Sequence, residues 1–127
     1  MRAADTNLLV RLFAHDNPGQ VAAVEAFISG GAWVSHLALV ECIWVLASGF
    51  SKGHHELAAA VEILLNHTEL VVQEPKTVQA ALALFRKRPK LGFSDCMLVE
   101  LARSAGHTPL GTFDRALGRA PGAEFLG

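Results

Sequence analysis

The chain lacks most features that would place it outside the ordinary globular class. Its two cysteines, Cys42 and Cys96, cannot build a disulfide framework, so a reduced, cytoplasmic protein is expected. It has no long hydrophobic run. The longest apolar stretch, residues 37–47, is interrupted by Glu41 and is too short to span a bilayer, so no membrane association is expected. No basic segment leads into an apolar one at the N-terminus, so no signal peptide is expected. The formal net charge of −1 argues against a general basic coat for nucleic acid. There is no repeat, linker or low-complexity segment. What is there is 127 residues, 51% of them hydrophobic, which is enough for one domain, 1–127, with a real core.

Hydrophobic periodicity divides the chain into short strands and longer helices. Strands are expected over 2–5, 32–35, 69–72 and 109–112, with a possible last one at 124–126. Helices are expected over 7–14, from Pro18 to the Gly30-Gly31 stop, over 36–48, 54–66 and 75–85, and from Ser94 to Gly106. His15 to Gly19 reads as a turn, and residues 115–117 as a single helical turn. Strands alternating with helices in this way indicate an α/β domain with a parallel sheet of four to five short strands.

Four acids stand out against this pattern. Asp5 ends the first strand, and ligands of open parallel sheets sit outside the carboxyl ends of strands. Glu41 is the only charged side chain between His36 and Lys52. Its helix is apolar all round, which predicts a buried helix and a buried carboxylate that must protonate, pair or bind a metal. Asp95 opens the helix of Met97, Leu98 and Leu101, and Asp114 follows the fourth strand. Each also has a simpler role. Asp5 and Asp95 can cap helices, Asp114 can be a turn aspartate, and Glu41 can pair with an arginine. Jointly they fall on one expected sheet edge, where four carboxylates would repel one another without a cation. An all-carboxylate donor set suits Mg²⁺, or Mn²⁺ in its place, rather than zinc.

These residues carry a resemblance. Asp5-Thr6-Asn7, Glu41-Cys42-Ile43-Trp44-Val45-Leu46, Phe93-Ser94-Asp95 and Gly111-Thr112-Phe113-Asp114-Arg115 resemble, in order and approximate spacing, the motifs of PIN-domain nucleases. Among these, a stand-alone domain of this length most resembles the VapC-type toxins of toxin–antitoxin pairs. The resemblance implies a three-layer α/β/α fold and a Mg²⁺-dependent endoribonuclease. It also implies a homodimer and a cognate antitoxin that inserts into the active-site groove. The chain departs from the pattern at Gly92 and Ala116, where many or some relatives carry further acids. A non-toxin PIN nuclease in RNA processing and a catalytically silent PIN-like interaction module are the competing expectations.

Under this reading Asp5, Asp95 and Asp114 hold the metal, while Glu41 ligates it or orients the attacking water. Thr6, Asn7 and Thr112 support the carboxylates. Arg86, Lys87, Arg88 and Lys90 form a basic loop that contacts RNA phosphates, or a solvated surface with no partner. His54-His55-Glu56 is a helix-start cluster rather than a metal site, because adjacent residues do not share a helix face. Cys42 and Cys96 are expected as small buried hydrophobes. Trp33 and Trp44 are expected in the core or at a dimer contact, with part of the 37–47 helix facing a second subunit or an antitoxin helix.

Overall fold

The computed structural model describes residues 1–14 and 16–127. His15, expected in the first turn, lies outside the described residues. Those residues form five strands and seven helices, and the chain divides into two compact units, Met1–Pro75 and Lys76–Gly127.

The first unit contains β1 (Arg2–Ala3), α1 (Thr6–Phe13), α2 (Pro18–Ile28), β2 (Ala32–Val34), α3 (His36–Gly49), α4 (His54–Asn66) and β3 (Leu70–Val72). Its strands pair in parallel in the order β1-β2-β3, with Ala3 opposite Trp33 and Trp33 opposite Val71. Alternation decides which sheet face is buried. Ala32, Val34, Leu70 and Val72 point into the core, while Trp33 and Val71 stay exposed. The core is completed by Leu9 and Val10 of α1, Val24 and Ile28 of α2, Leu39, Cys42 and Leu46 of α3, and Val61 and Leu64 of α4. Helix α1 packs on both α2 and α3. Val21 and Phe27, at helical spacing from Val24, are only half-buried, and the Arg2 guanidinium lies 3.8 Å from the centre of the Phe27 ring.

Local chemistry sets the helix starts. Asn17 accepts a hydrogen bond from the Gln20 amide at 3.1 Å, with Pro18 at the first helical position. Ser35 accepts one from the Ala38 amide at 3.1 Å, starting α3 immediately after β2. At the same strand end the His36 amide donates to Gln73 Oε1 at 2.9 Å, tying α3 to the residue that follows β3. The Glu56 carboxylate reaches back to the Gly53 amide at 3.3 Å. The His54–Glu56 segment therefore serves to start α4.

The second unit contains α5 (Pro75–Lys87), α6 (Phe93–Ser104), β4 (Leu110–Thr112), α7 (Arg115–Gly118) and β5 (Ala123–Phe125). Strands β4 and β5 pair in parallel, Leu110 with Ala123 through Thr112 with Phe125. Val78, Ala81, Leu82 and Phe85 of α5 are buried as their spacing predicts, and Phe85 meets Phe93 edge-on with ring centres 5.7 Å apart.

The fold is of the expected α/β class with parallel pairing throughout, but the five strands form one ladder of three and one of two rather than a single continuous sheet. Strands of two or three residues present few ladder groups, so each ladder stays narrow. The expected basic loop is also half helical. Arg86 and Lys87 close the last turn of α5, where cations face the helix dipole favourably, and only Arg88 to Lys90 lie in the connection.

Candidate active site

Asp5 follows β1 at the carboxyl end of the strand and takes the N-cap position of α1. Its backbone accepts the first helical bond, from the Leu9 amide at 3.2 Å, yet its side chain makes no capping bond. The simple capping role is therefore not taken up, and the carboxylate is exposed.

Glu41 corrects the expectation drawn from composition. Helix α3 is not buried all round, and Glu41 is exposed. Leu37 is 71% exposed and Trp44 68%, so residues 37, 41 and 44 form an outward stripe at helical spacing, opposite Leu39, Cys42 and Leu46. The same stripe takes Trp44 out of the core. Apolar residues on both faces masked the periodicity from which the outward face could have been read. Thr6 Oγ1 donates to Glu41 Oε1 at 3.4 Å, which links the start of α1 to the second turn of α3. Asn7 does not join this contact. It lines a cavity of about 510 Å³ with Arg11 and Gln20.

In the second unit, Asp95 stands in the first turn of α6 and accepts a hydrogen bond from the Gly92 amide. Burial first, and the charge of Asp114 second, hold its pKa above the usual aspartate value against that hydrogen bond. Asp114 is the N-cap of α7 and accepts from the Leu117 amide at 2.8 Å. Its own amide donates to Thr112 Oγ1 at 3.0 Å, so Thr112 fixes the backbone from which the carboxylate projects. The capping role expected as an alternative for Asp114 is thus present, and it leaves the second carboxylate oxygen for another partner.

Each unit therefore presents two of the four acids. Thr6, next to Asp5, donates to Glu41, and the charge of Asp114 acts on Asp95. Among the described residues no Lys, Arg or His forms an ion pair with any of the four. The donors are carboxylate and hydroxyl oxygens, which fit a hard divalent cation. Among the described residues no three His, Cys, Asp or Glu side chains gather into a group that could hold a metal ion.

Cys42 and Cys96 are buried as expected, and burial pushes each thiol up to about 12, with the charges of Asp95 and Glu100 adding to the effect at Cys96. Lys87, Arg88 and Lys90 line a cavity of about 220 Å³ in the second unit, and Arg119 joins them there. Arg119 escaped the sequence analysis because it lies outside the basic run. Its position just after the single turn at 115–117 was the only signal available.

No helix of the described residues is long and apolar enough to cross a membrane. No curated protein and no solved structure matches the chain significantly. Comparison with protein families matches residues 3–123 to the PIN domain, a span that takes in all four acids. With nearly its whole length matched, the chain belongs to the PIN domain family.

Proposed function

We propose that the protein is a divalent-metal-dependent endoribonuclease, the toxin of a toxin–antitoxin pair, which hydrolyses RNA phosphodiester bonds. PIN domains are in general nucleases, which supports the reaction class. The observation that carries the proposal is the Asp95–Asp114 pair. The charge of Asp114 acts on the half-buried Asp95 carboxylate, and among the described residues no basic side chain pairs with either, an arrangement that suits a bound cation.

Asp5, Glu41, Asp95 and Asp114 are the proposed metal-holding and catalytic set. Mg²⁺, or Mn²⁺ in its place, supplies Lewis acidity when bound, lowering the pKa of water and offsetting charge on the phosphoryl oxygens. The chain's own residues do the orienting. Thr6 holds one oxygen of Glu41 and leaves the other to accept a proton from water. Thr112 anchors the backbone of Asp114, and the Gly92 amide fixes the Asp95 carboxylate. The outward stripe of α3, with Leu37 and Trp44, supports a homodimer. A cognate antitoxin is proposed to cover the acids.

One observation favours an interaction module instead, namely that no metal-holding group of three acids exists among the described residues. Incubating the purified, antitoxin-free protein with total RNA in Mg²⁺, Mn²⁺ or EDTA separates the two readings. A nuclease cuts only with metal and loses activity in both Asp5→Asn and Asp95→Asn. A folded protein that cuts nothing under any metal is the interaction module. A non-toxin nuclease would cut RNA without arresting growth when expressed alone.

A further inference from the structure

The second unit carries a cationic cavity that four charged side chains share. Lys87 closes α5, Arg88 and Lys90 follow it, and Arg119 comes from the far end of α7, with Leu91 and Ala116 supplying apolar wall. The cavity is about 220 Å³. Among the described residues no carboxylate pairs with any of the four cations. A neighbouring cavity of about 540 Å³ shares Lys87 and Arg88 and includes Glu100, but the Glu100 carboxylate is held by Arg103 Nε at 3.0 Å. Like charges gathered in a concave surface repel, and among the described residues no carboxylate is paired with them. An anion completes the arrangement.

Connectivity indicates which anion. Asp114 caps the start of α7 and Arg119 caps its end, five residues on, so their backbone positions are about 7.5 Å apart along the helix axis. On the other wall, Leu91 lies just before the Gly92 amide that holds Asp95. Both walls of the cavity thus lead within a few residues to the acid pair. Resting on the nuclease reading, we propose that this cavity is the substrate's phosphate subsite. It holds one backbone phosphate of a single-stranded RNA beside the bond to be cut, and Arg119 is its positioning residue. Such contacts fix the register of the strand and carry no base specificity. The four acids would otherwise repel the substrate.

Binding is measured without turnover, by fluorescence anisotropy of a labelled single-stranded RNA in EDTA across a salt series. Arg119→Ala and Lys90→Ala should each weaken binding about fivefold to tenfold. Each should also flatten the slope of log affinity against log salt by about 0.7. Arg119→Lys should restore most of the binding. Lys76→Ala, an exposed cation at the start of α5, should bind as the unchanged protein does. In cleavage assays Arg119→Ala should raise KM more than it lowers kcat. Wild-type binding by Arg119→Ala, an equal loss in Lys76→Ala, or polyglutamate bound as tightly as RNA would overturn the proposal. If the protein cuts RNA and Arg119→Ala leaves KM unchanged, the subsite fails and the nuclease stands. If nothing is cut yet Arg119→Ala loses RNA binding, the cavity stands as an RNA site and the nuclease reading fails.

Discussion

Asp95 is half-buried beside a second carboxylate, and its raised pKa has a sign that can be followed. An acid whose folded-state value lies above its ordinary 3.8 is happier protonated in the folded chain. Stability is therefore greatest while Asp95 is protonated and falls as pH rises through its folded-state value. Asp95→Asn removes this penalty. In EDTA at neutral pH the variant should melt at or above the temperature of the unchanged protein, gain little from added Mg²⁺, and cut no RNA. Dye-monitored melting with and without metal checks the first two. The thiols follow the same rule at higher pH. Burial pushes Cys42 and Cys96 up to about 12 from 9.0, so the stability they contribute is complete below pH 9.0 and fades above it. Neither should react with a disulfide reagent at pH 8 until denaturant unfolds the chain, and native-state thiol titration reads this directly.

Helix α3 shows how one element can carry both core and surface while its composition suggests core alone. Leu46 is fully buried and Trp44, two residues earlier, is not. Leu46→Ala should destabilise the protein by about 2–5 kcal/mol through lost burial and an unfilled cavity. Trp44→Ala should change stability by no more than about 0.5 kcal/mol. Urea melts of the two variants test the assignment of faces. The pairing of β4 with β5 has an equally local determinant. A side chain at Gly118 would come within 2.6 Å of Phe125 Cβ and 3.0 Å of its Cα, so β5 can lie against α7 only if position 118 is glycine. Gly118→Ala should destabilise by about 1–3 kcal/mol, measured the same way, because the close neighbour is backbone as well as side chain.

For the molecule as a whole, the family span of residues 3–123 runs across both compact units and includes the positions of all four acids. The proposed dimer puts the exposed stripe of α3 against a second copy. Sedimentation should find the unchanged protein as a dimer and Trp44→Glu as a folded monomer, since a charge in an apolar contact is left unpaired when buried. Much of this architecture was legible beforehand. Asn17 followed by Pro18 announces α2, and the spacing of Val78, Ala81, Leu82 and Phe85 marks the buried face of α5, whereas Ser35, expected as the end of a strand, caps α3. The exposed side of α3 was not legible, because apolar residues ring the helix and periodicity distinguishes faces only when they differ.

The sequence by itself determined the element order, the parallel α/β class, the burial of both cysteines and the family. These depend on local propensity, capping and spacing, which adjacent residues carry. Only the tertiary structure decided that the Asp5 side chain leaves its helix uncapped, that Glu41 is exposed with Thr6 as its donor, and that Arg119 completes a cavity begun by residues 87–90. The last two depend on where the backbone returns after tens of residues, and no local pattern encodes that.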